Sequence, residues 1–454
     1  MPEAPTLADL IRRGAESGDP YLALAFHPYA EGSTREELEK VLFASRRQRI
    51  QFAGAPYTPP SVLGALARLD EPKIRARLAR NPRTPPEALE YLFHEADGEG
   101  LAVALAAHGN ATPELIEELP FRSDPEVRKA VCGNPSLPRS ILKYVFAAGA
   151  PLECKAVASN PNCDVDLLIR LWRLQDLYVQ AEVAAHPRCP EHLRHQALHH
   201  PEAVIRRKLA ENPALTQDEV VRLLLDPDPG VRAAAAKGST LTDEEHRQLA
   251  EDPSRSVRRA EAQRKGLDPQ IMERFSRDED SWVRRWIARN PEAAREILER
   301  LARDSELEVR RAVTRNSACP GDLLAELARD PESWVRAGVA FRTDLPEELV
   351  EALGQDSDID VISGVGRNPH TPEALLERIA RHADSDVRRA VILNKGAPPR
   401  ILGLLKEDPY PINRATLVQH PALERADLLE LLEDPEPQVR FIAANRLARE
   451  VQAS

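Results

Sequence analysis

The side chains of this sequence that are best suited to chemistry lie in one short segment, residues 186–202, "HPRCPEHLRHQALHHPE". Within it Cys189, His192, His195 and His199 recur at intervals of three or four residues, which places them on approximately one face of a helix. Thiolate and imidazole groups are common ligands of zinc and other transition metals. This spacing predicts a metal site.

The same segment also has a purely structural interpretation. Leu193, Ala197 and Leu198 form the apolar stripe of the helix, so the histidines point toward solvent. Cys189 and Cys319 both stand where equivalent segments of this chain carry a threonine. On this interpretation the cysteines fill a structural position and the histidines are ordinary surface residues.

The rest of the sequence contains little that predicts catalysis. It has no nucleotide-binding glycine loop, zinc-protease helix motif or nucleophile elbow. Its prominent carboxylates all have a capping or pairing role available, so no acid–base pair stands out. The 5 cysteines are scattered and form no CxxC pair, which argues against a disulfide framework. We expect a protein that is not an enzyme and has no cofactor.

The composition narrows the class of partner. The 454 residues carry a formal net charge of −11, which disfavours nonspecific binding to nucleic acids and acidic membranes, because such binding relies on Lys and Arg. No apolar run approaches the roughly 20 residues that a bilayer span requires. The first residues also lack the pattern of a signal peptide. We therefore expect a cytoplasmic protein that does not associate with membranes.

A repeat of about 26 residues provides the elements that hold these side chains. A Val-Arg dipeptide returns in register, with its valine at Val231, Val257, Val283, Val309, Val335 and Val387. The frame extends back to roughly Gln48 and forward through Ile412 to Val439. It predicts an all-α fold of about seventeen two-helix units, with this apolar anchor buried in each unit.

The helix boundaries are marked by proline. The first helix of a unit often opens with Asp-Pro, as at Asp252 and Asp330, where Asp suits the cap and Pro the first helical position. The helix ends at Asn-Pro, as at Asn290, because a residue before Pro disfavours the helical conformation. Thr84 and Glu87 then predict a capping box for the second helix. The prolines therefore separate the helices.

The repeat also predicts the domain organisation. Residues 1–47 read as a divergent N-terminal capping repeat, residues 48–438 as the repeat array and residues 439–454 as a C-terminal half-repeat cap. Stacked units bury surface only against their neighbours, so we expect an elongated α-solenoid.

The repeat phrase D-P-x-x-x-V-R-R-A-V-A-x-N-P-x-T-P-x-x-L-L-x-x-L-A resembles the leucine-rich repeat variant family of bacterial helical-repeat proteins, with HEAT-like repeats as second choice. Residues 304–330, "DSELEVRRAVTRNSACPGDLLAELARD", carry the fullest version. The resemblance implies a right-handed superhelix of α- and 3₁₀-helices. Some relatives bind an iron–sulfur centre through an N-terminal cysteine cluster, but here the first cysteine is Cys132. That cofactor is therefore not expected.

Two rows of polar residues recur with the repeat. The arginine after the anchor often has an acid four residues earlier. The two side chains can pair on one helix, or the arginine can pair with the next unit. We interpret these arginines and the recurring asparagines, which suit turn amides, as a structural ladder. Its members include Arg128, Arg232, Arg258, Arg284, Arg310, Arg336, Arg388, Asn134, Asn290 and Asn368.

Two tryptophans depart from the repeat. Trp282 and Trp334 stand directly before the anchor, where other units have residues such as Ser256 or Glu308. At about 9 to 10 Å per unit they are expected roughly 20 Å apart on one surface. Exposed tryptophan is a frequent binding anchor, so we predict a partner site there. The alternative is that each ring lies over a neighbouring unit as a local lid.

Taken as a whole, the sequence predicts a noncatalytic scaffold for protein–protein interactions. The alternative is a helical array that binds nucleic acid through its arginines, and a third hypothesis is a repeat protein associated with metal or redox chemistry. No motif identifies the protein partner or an oligomeric state.

Overall fold

The computed structural model describes residues 5–94, 99–119, 125–134, 137–148, 151–238 and 241–453. The packing of the chain divides it into two units. We call Leu42–Glu261 the central unit. Met1–Val41 and Ala262–Ser454 together form the terminal unit.

The described residues fold into α-helices of 5 to 17 residues joined by tight turns. The first three helices are α1 (Leu7–Glu16), α2 (Pro20–Phe26) and α3 (Gly32–Leu42). The central unit continues with α4 (Arg46–Gly54), α5 (Pro60–Ala67), α6 (Pro72–Leu78), α7 (Pro86–His94), α8 (Glu99–Ala106), α9 (Pro113–Glu118), α10 (Pro125–Cys132), α11 (Arg139–Ala148), α12 (Pro151–Ser159), α13 (Val165–Trp172), α14 (Leu177–Ala185), α15 (Glu191–Leu198), α16 (Ala203–Leu209), α17 (Gln217–Leu224), α18 (Pro229–Gly238), α19 (Asp243–Ala250) and α20 (Arg255–Ala262).

The terminal unit contains the remaining helices, which follow the same alternation. They are α21 (Pro269–Phe275), α22 (Ser281–Arg289), α23 (Arg295–Leu301), α24 (Leu307–Thr314), α25 (Gly321–Leu327), α26 (Ser333–Ala340), α27 (Glu347–Leu353), α28 (Ile359–Arg367), α29 (Glu373–Ala380), α30 (Ser385–Ile392), α31 (Pro399–Gly403), α32 (Pro411–Leu417), α33 (Arg425–Glu430) and α34 (Pro437–Ala453). Short 3₁₀ turns occupy His27–Tyr29 and Leu431–Glu433.

The even-numbered helices carry the Val-Arg positions, and consecutive ones pack against each other in both units, as α14 does with α16 and α26 with α28. The odd-numbered helices form a second layer beside them. This arrangement confirms the predicted all-α solenoid class with two helices per repeat.

The anchors form the core of the stack. Val231, Val283 and Val335 are fully inaccessible to solvent. Burying each such side chain contributes about 1.5 to 3 kcal/mol. On α32 the anchor is Asn413, which is inaccessible, and the prediction of Ile412 is wrong because that side chain is 53% exposed. Asn413 is tolerated there because its amide donates to the carbonyl of Ser385 and to a carboxylate.

The start of the first helix lies later than predicted. Helix α26 begins at Ser333, three residues after Asp330, with Glu332 at the cap position. The carboxylate of Asp330 instead accepts the amide of Glu332 at 2.9 Å and receives an arginine from the preceding repeat. In the same way, α20 begins at Arg255, three residues after Asp252. The predicted end is confirmed at Asn290, which leaves the helical conformation after α22.

The predicted capping box of Thr84 and Glu87 is wrong. Thr84 is buried, and its hydroxyl donates at 2.7 Å to the carbonyl of Leu78, in the last turn of the preceding helix. Thr371 does the same with Val365 at 2.6 Å. A threonine in this position therefore closes one helix and does not start the next.

Most ladder arginines join two repeats. The Nε and Nη2 groups of Arg310 donate to the two carboxylate oxygens of Asp330 at 2.7 and 3.0 Å, and Nη1 donates to the carbonyl of Asp304. The partner lies 20 residues after the arginine, in the next unit. The same bidentate pair joins Arg206 to Asp226, Arg232 to Asp252, Arg284 to Asp304, Arg336 to Asp356, Arg388 to Asp408 and Arg414 to Asp434.

The acids four residues before the arginines have another role. Asp280 and Asp384 accept backbone amides at the first turn of α22 and α30, so they are helix caps. Two other ladder arginines differ in detail: Arg128 pairs with Glu153, and Arg258 donates to the carbonyl of Asp252.

Bidentate, largely buried pairs of this kind are stronger than exposed ones. Accordingly, the hydrogen bond to Asp330 raises the pKa of Arg310, and the hydrogen bond from Arg336 lowers the pKa of Asp356.

At two of the positions that lack the arginine, a histidine has replaced the acid as well. Ile362 and Gln180 replace the arginine, while His382 and His200 stand 20 residues later, in place of the aspartate. The Nδ1 atom of His382 accepts the amide of Asp384 at 3.0 Å. The histidine thus keeps the turn-closing contact of the aspartate without leaving an unpaired buried carboxylate.

The ladder asparagines make two kinds of contact. The side chain of Asn316 accepts the amide of Ala318 in its own turn, and its Nδ2 donates to the carbonyls of Ala288 and Asn290 in the preceding unit. The side chain of Asn368 accepts the amide of His370, and that of Asn290 accepts the amide of Glu292. The backbone carbonyl of Asn134 accepts the Nδ2 group of Asn160 in the next unit. These side chains therefore tie each turn to the one before it.

The first two helices of the terminal unit, α1 and α2, pack against its last described helix, α34. Helix α2 lies against α34, and Arg440 donates to Asp19 at 2.5 Å. Arg440 also donates to the carbonyl of Asp434, as the other ladder arginines do with theirs. Asp19 therefore takes the place that an aspartate of a following repeat would occupy.

Candidate functional site

Trp282 and Trp334 occupy the same repeat position on α22 and α26, both in the terminal unit. Each side chain is 49% exposed, whereas the anchors that follow them, Val283 and Val335, are inaccessible. The repeat frame thus holds two large aromatic side chains half in solvent at equivalent positions.

Each of the two rings has a guanidinium over it. The Cζ atom of Arg285 lies 4.7 Å from the ring centroid of Trp282, and that of Arg311 lies 4.2 Å from the ring centroid of Trp334. Arg285 is on the same helix as its tryptophan, whereas Arg311 comes from α24. At exposed sites such contacts are worth about 0.5 to 1 kcal/mol and help to fix the rings.

Arg285, Arg289, Arg311 and Arg315 lie two and six residues after the anchors of α22 and α24. Within the described part of the chain, none of the four pairs with a carboxylate. Burial, and then the positive charges of Arg315 and Arg285, lower the pKa of Arg289. Burial and the positive charge of Arg315 likewise lower the pKa of Arg311. The four guanidinium groups therefore have no carboxylate paired with them, although Glu308 and Asp360 act on Arg311 through space.

We call Trp282, Trp334, Arg285, Arg289, Arg311 and Arg315 together the Trp–Arg face. An adjacent pair extends it: Phe341 is 46% exposed, and Arg367 lies 5.7 Å from its ring centroid. Acids take the tryptophan position on two other helices: Glu308 on α24, between the two tryptophan-bearing helices, and Asp360 on α28, beyond them. The face is consequently a compact basic and aromatic surface.

Sequence reasoning identified the tryptophans but missed the arginines of this face. The available signal was the doubled arginine of Val-Arg-Arg, as in Arg310 and Arg311. On α24 only the first of these arginines has a partner aspartate. The second arginine of α30, Arg389, instead pairs with Asp386 and donates to Asn413.

The structure does not bring the predicted metal ligands together. Cys189 is buried in the turn before α15, where its pKa is raised to about 12, chiefly by burial. His192, His195 and His199 are exposed, and Nδ1 of His199 contacts the carbonyl of His195 at 2.9 Å. In the residues that the structure describes, no group of three or more His, Cys, Asp and Glu is arranged to hold a metal ion.

Cys189 precedes the helix that carries the histidines. It takes the inward position of the threonines, as Cys319 also does, so a helical spacing does not apply to it.

None of the described helices has both the length and the apolar character needed to span a bilayer.

No family model matches the sequence, and no curated protein matches it. The stacked helix pairs define the class: this chain is a helical-repeat protein, as predicted. Several solved structures match it. One of the matches is a leucine-rich repeat variant with a novel repetitive motif, 26% identical over 55% of this chain and 88% of that chain, with a TM-score of 0.33. The chain is therefore similar to leucine-rich repeat variants.

Two karyopherin structures also match. Kap95p, in a structure that concerns RanGDP, is 12% identical over 97% of this chain and 66% of its own, with a TM-score of 0.28. Kap121p bound to Ste12p is 12% identical over 96% of this chain and 56% of its own, with a TM-score of 0.27.

Proposed function

We propose that this protein is a noncatalytic scaffold that binds other proteins, and that the Trp–Arg face forms part of its contact surface. The observation that carries the proposal is the pair of half-exposed tryptophans in one repeat position on α22 and α26. A solenoid does not require them, since equivalent units have Glu308 or Ser256 there. Tryptophan and arginine are the residue types most enriched among binding hot spots.

The distribution of carboxylates supports a noncatalytic role. Asp280 is a helix cap, and Asp330 is held by Arg310 and a backbone amide. Carboxylates engaged in this way have their lone pairs committed to the scaffold. They are poorly suited to accept and release a substrate proton.

The test is affinity capture with the full chain and with Trp282→Ala/Trp334→Ala. We expect the double variant to keep its helical circular dichroism and to lose the partner proteins that the unsubstituted chain captures. Tyr178→Ala is the matched control, because Tyr178 occupies the same repeat position in the central unit and is 64% exposed. An unchanged set of captured proteins for the double variant would contradict the proposal.

A second candidate is binding of nucleic acid, which the four unpaired arginines favour. Their positive charge would contact phosphates, and affinity would then fall steeply with salt. A titration with labelled single- and double-stranded DNA at low and at moderate salt tests this. Negligible binding at low salt would reject it.

A further inference from the structure

We propose that the Trp–Arg face binds a short acidic segment of a partner protein, with carboxylates on the arginines and an apolar side chain against the tryptophans. This inference rests on the proposed scaffold function and specifies the chemistry of its partner.

The arginines of the face have hydrogen-bond donors to spare. In Arg310 the Nε, Nη1 and Nη2 groups all have partners within the ladder. In its neighbour Arg311 the Nε atom is buried and has no hydrogen-bond partner in the described structure. A guanidinium presents paired donors that match the two oxygens of a carboxylate. An incoming Asp or Glu would supply the acid that the repeat supplies to Arg310.

The extent of the positive charge favours a short segment over a nucleic acid. The negative charges of Glu308 and Asp360 lie close enough to Arg311 to oppose the lowering of its pKa, and Asp386 takes the same position as these acids on α30. A long polyanion places phosphates along many units and would meet these acids, in a chain whose net charge is −11. A short segment with only a few carboxylates meets fewer of these acids.

The tryptophans define the apolar part of the segment. Each ring is held from one side by a guanidinium and remains 49% exposed. An apolar or aromatic side chain that covers the exposed part would remove it from water, and the surrounding arginines would lie at the edge of that contact. The expected ligand therefore combines acidic and apolar residues.

The probe is a phage-displayed library of random peptides, selected on the full chain and on Arg311→Gln/Arg315→Gln. The matched control is Arg303→Gln/Arg381→Gln, which removes the same charge from exposed arginines that pair with Glu326 and Glu377 outside the face. We expect acidic peptides with apolar residues to be enriched on the unsubstituted chain and on the control, and not to be enriched on Arg311→Gln/Arg315→Gln.

Fluorescence anisotropy with one selected synthetic peptide then gives affinities. Arg311→Gln/Arg315→Gln is expected to weaken binding at least tenfold, an order-of-magnitude figure for the loss of close charge pairs. The control is expected to stay within about twofold. The charge-reversed variant Arg311→Glu/Arg315→Glu is expected to bind a version of this peptide in which lysines replace the acids more tightly than it binds the original peptide.

Three results would overturn the inference: a library without acidic enrichment, equal affinity for the Gln variant and the control, or a single-stranded oligonucleotide that binds more tightly than the peptide and is lost with Arg311→Gln/Arg315→Gln. The two proposals remain separable. If Trp282→Ala/Trp334→Ala loses its captured partners but the Gln variant keeps them, the scaffold function stands and the acidic ligand does not.

Discussion

Arg310 and Arg311 are neighbours on α24, yet they belong to two different regions of the molecule. Arg310 is a member of the ladder, held by both oxygens of Asp330 and by a backbone carbonyl. Arg311 belongs to the Trp–Arg face, where it lies over Trp334 without a carboxylate. On this helix the scaffold therefore provides a paired acid for only one of the two arginines. The other is available for binding.

The central unit contains an aromatic site that sharpens the comparison. Lys155 lies 5.7 Å from the ring centroid of Tyr178, which occupies the same repeat position as Trp334. There the cation also pairs with Glu182 at 3.7 Å. A cation over an aromatic ring therefore recurs along the chain. The cation at Tyr178 is paired with a carboxylate, whereas the cation at Trp334 has no paired carboxylate.

The largest expected effect comes from breaking the ladder where it is most buried. In the Arg414–Asp434 pair the side chains are only 9% and 3% exposed. Asp434→Ala leaves a buried guanidinium without its counterion and is expected to reduce the unfolding free energy by about 3 to 5 kcal/mol. Thermal and urea unfolding measure this. Glu430→Ala, which removes an acid that is 66% exposed, is expected to cost less than about 1 kcal/mol.

Acid is expected to weaken the ladder in a defined direction. The pKa of Asp356 in the folded protein lies below its ordinary value of 3.8, so the pair with Arg336 contributes its full stability above that pH. The contribution is lost as pH falls through the lowered pKa. The melting temperature of the unsubstituted chain should exceed that of Asp356→Asn near neutral pH, and the gap should narrow in acid. A gap that widens below pH 3.8 would refute this.

A missing rung offers a smaller, constructive test. Ile362→Arg and His382→Asp restore the arginine and aspartate of the ladder at a position that lacks both. We expect the two substitutions to stabilise each other by about 1 kcal/mol in a double-mutant cycle, although each alone destabilises. Melting curves of the four proteins provide the measurement. Purely additive effects would show that the rung had not formed.

The smallest expected effect is on the stability of the face. Trp282→Ala/Trp334→Ala removes two half-exposed rings and their contacts with Arg285 and Arg311, each worth about 0.5 to 1 kcal/mol. The melting temperature should therefore fall by much less than in Asp434→Ala. A comparable fall would mean that the tryptophans are part of the core. The Trp–Arg face would then not differ from the ladder in its contribution to stability.

The sequence predicted the elements of this fold because its signals are local. The buried anchors at Val283 and Val335 and the break at Asn290 follow from apolar spacing and from the proline after the asparagine. The anchor of α32 was misplaced because the buried residue is polar, and Asn413 shows its role only through contacts with Ser385 and Asp408.

Partner choice was beyond local reasoning. For Arg284, an acid four residues before and another 20 residues after are both plausible partners, and only the stacking of helices selects Asp304. The contact of Arg440 with Asp19 spans 421 positions, outside any periodicity. The exposed tryptophans were predictable, whereas the absence of an acid for Arg311 required the packed neighbours to be known.

The contact of α2 with α34 has a consequence for self-association. In a stack of repeats, a bare final helix offers the next copy the same apolar surface that joins its own repeats, and such a head-to-tail interface can extend into open filaments. Here α2 already packs against α34, and Asp19 accepts a hydrogen bond from Arg440. A chain folded in this way blocks its own polymerisation at that helix.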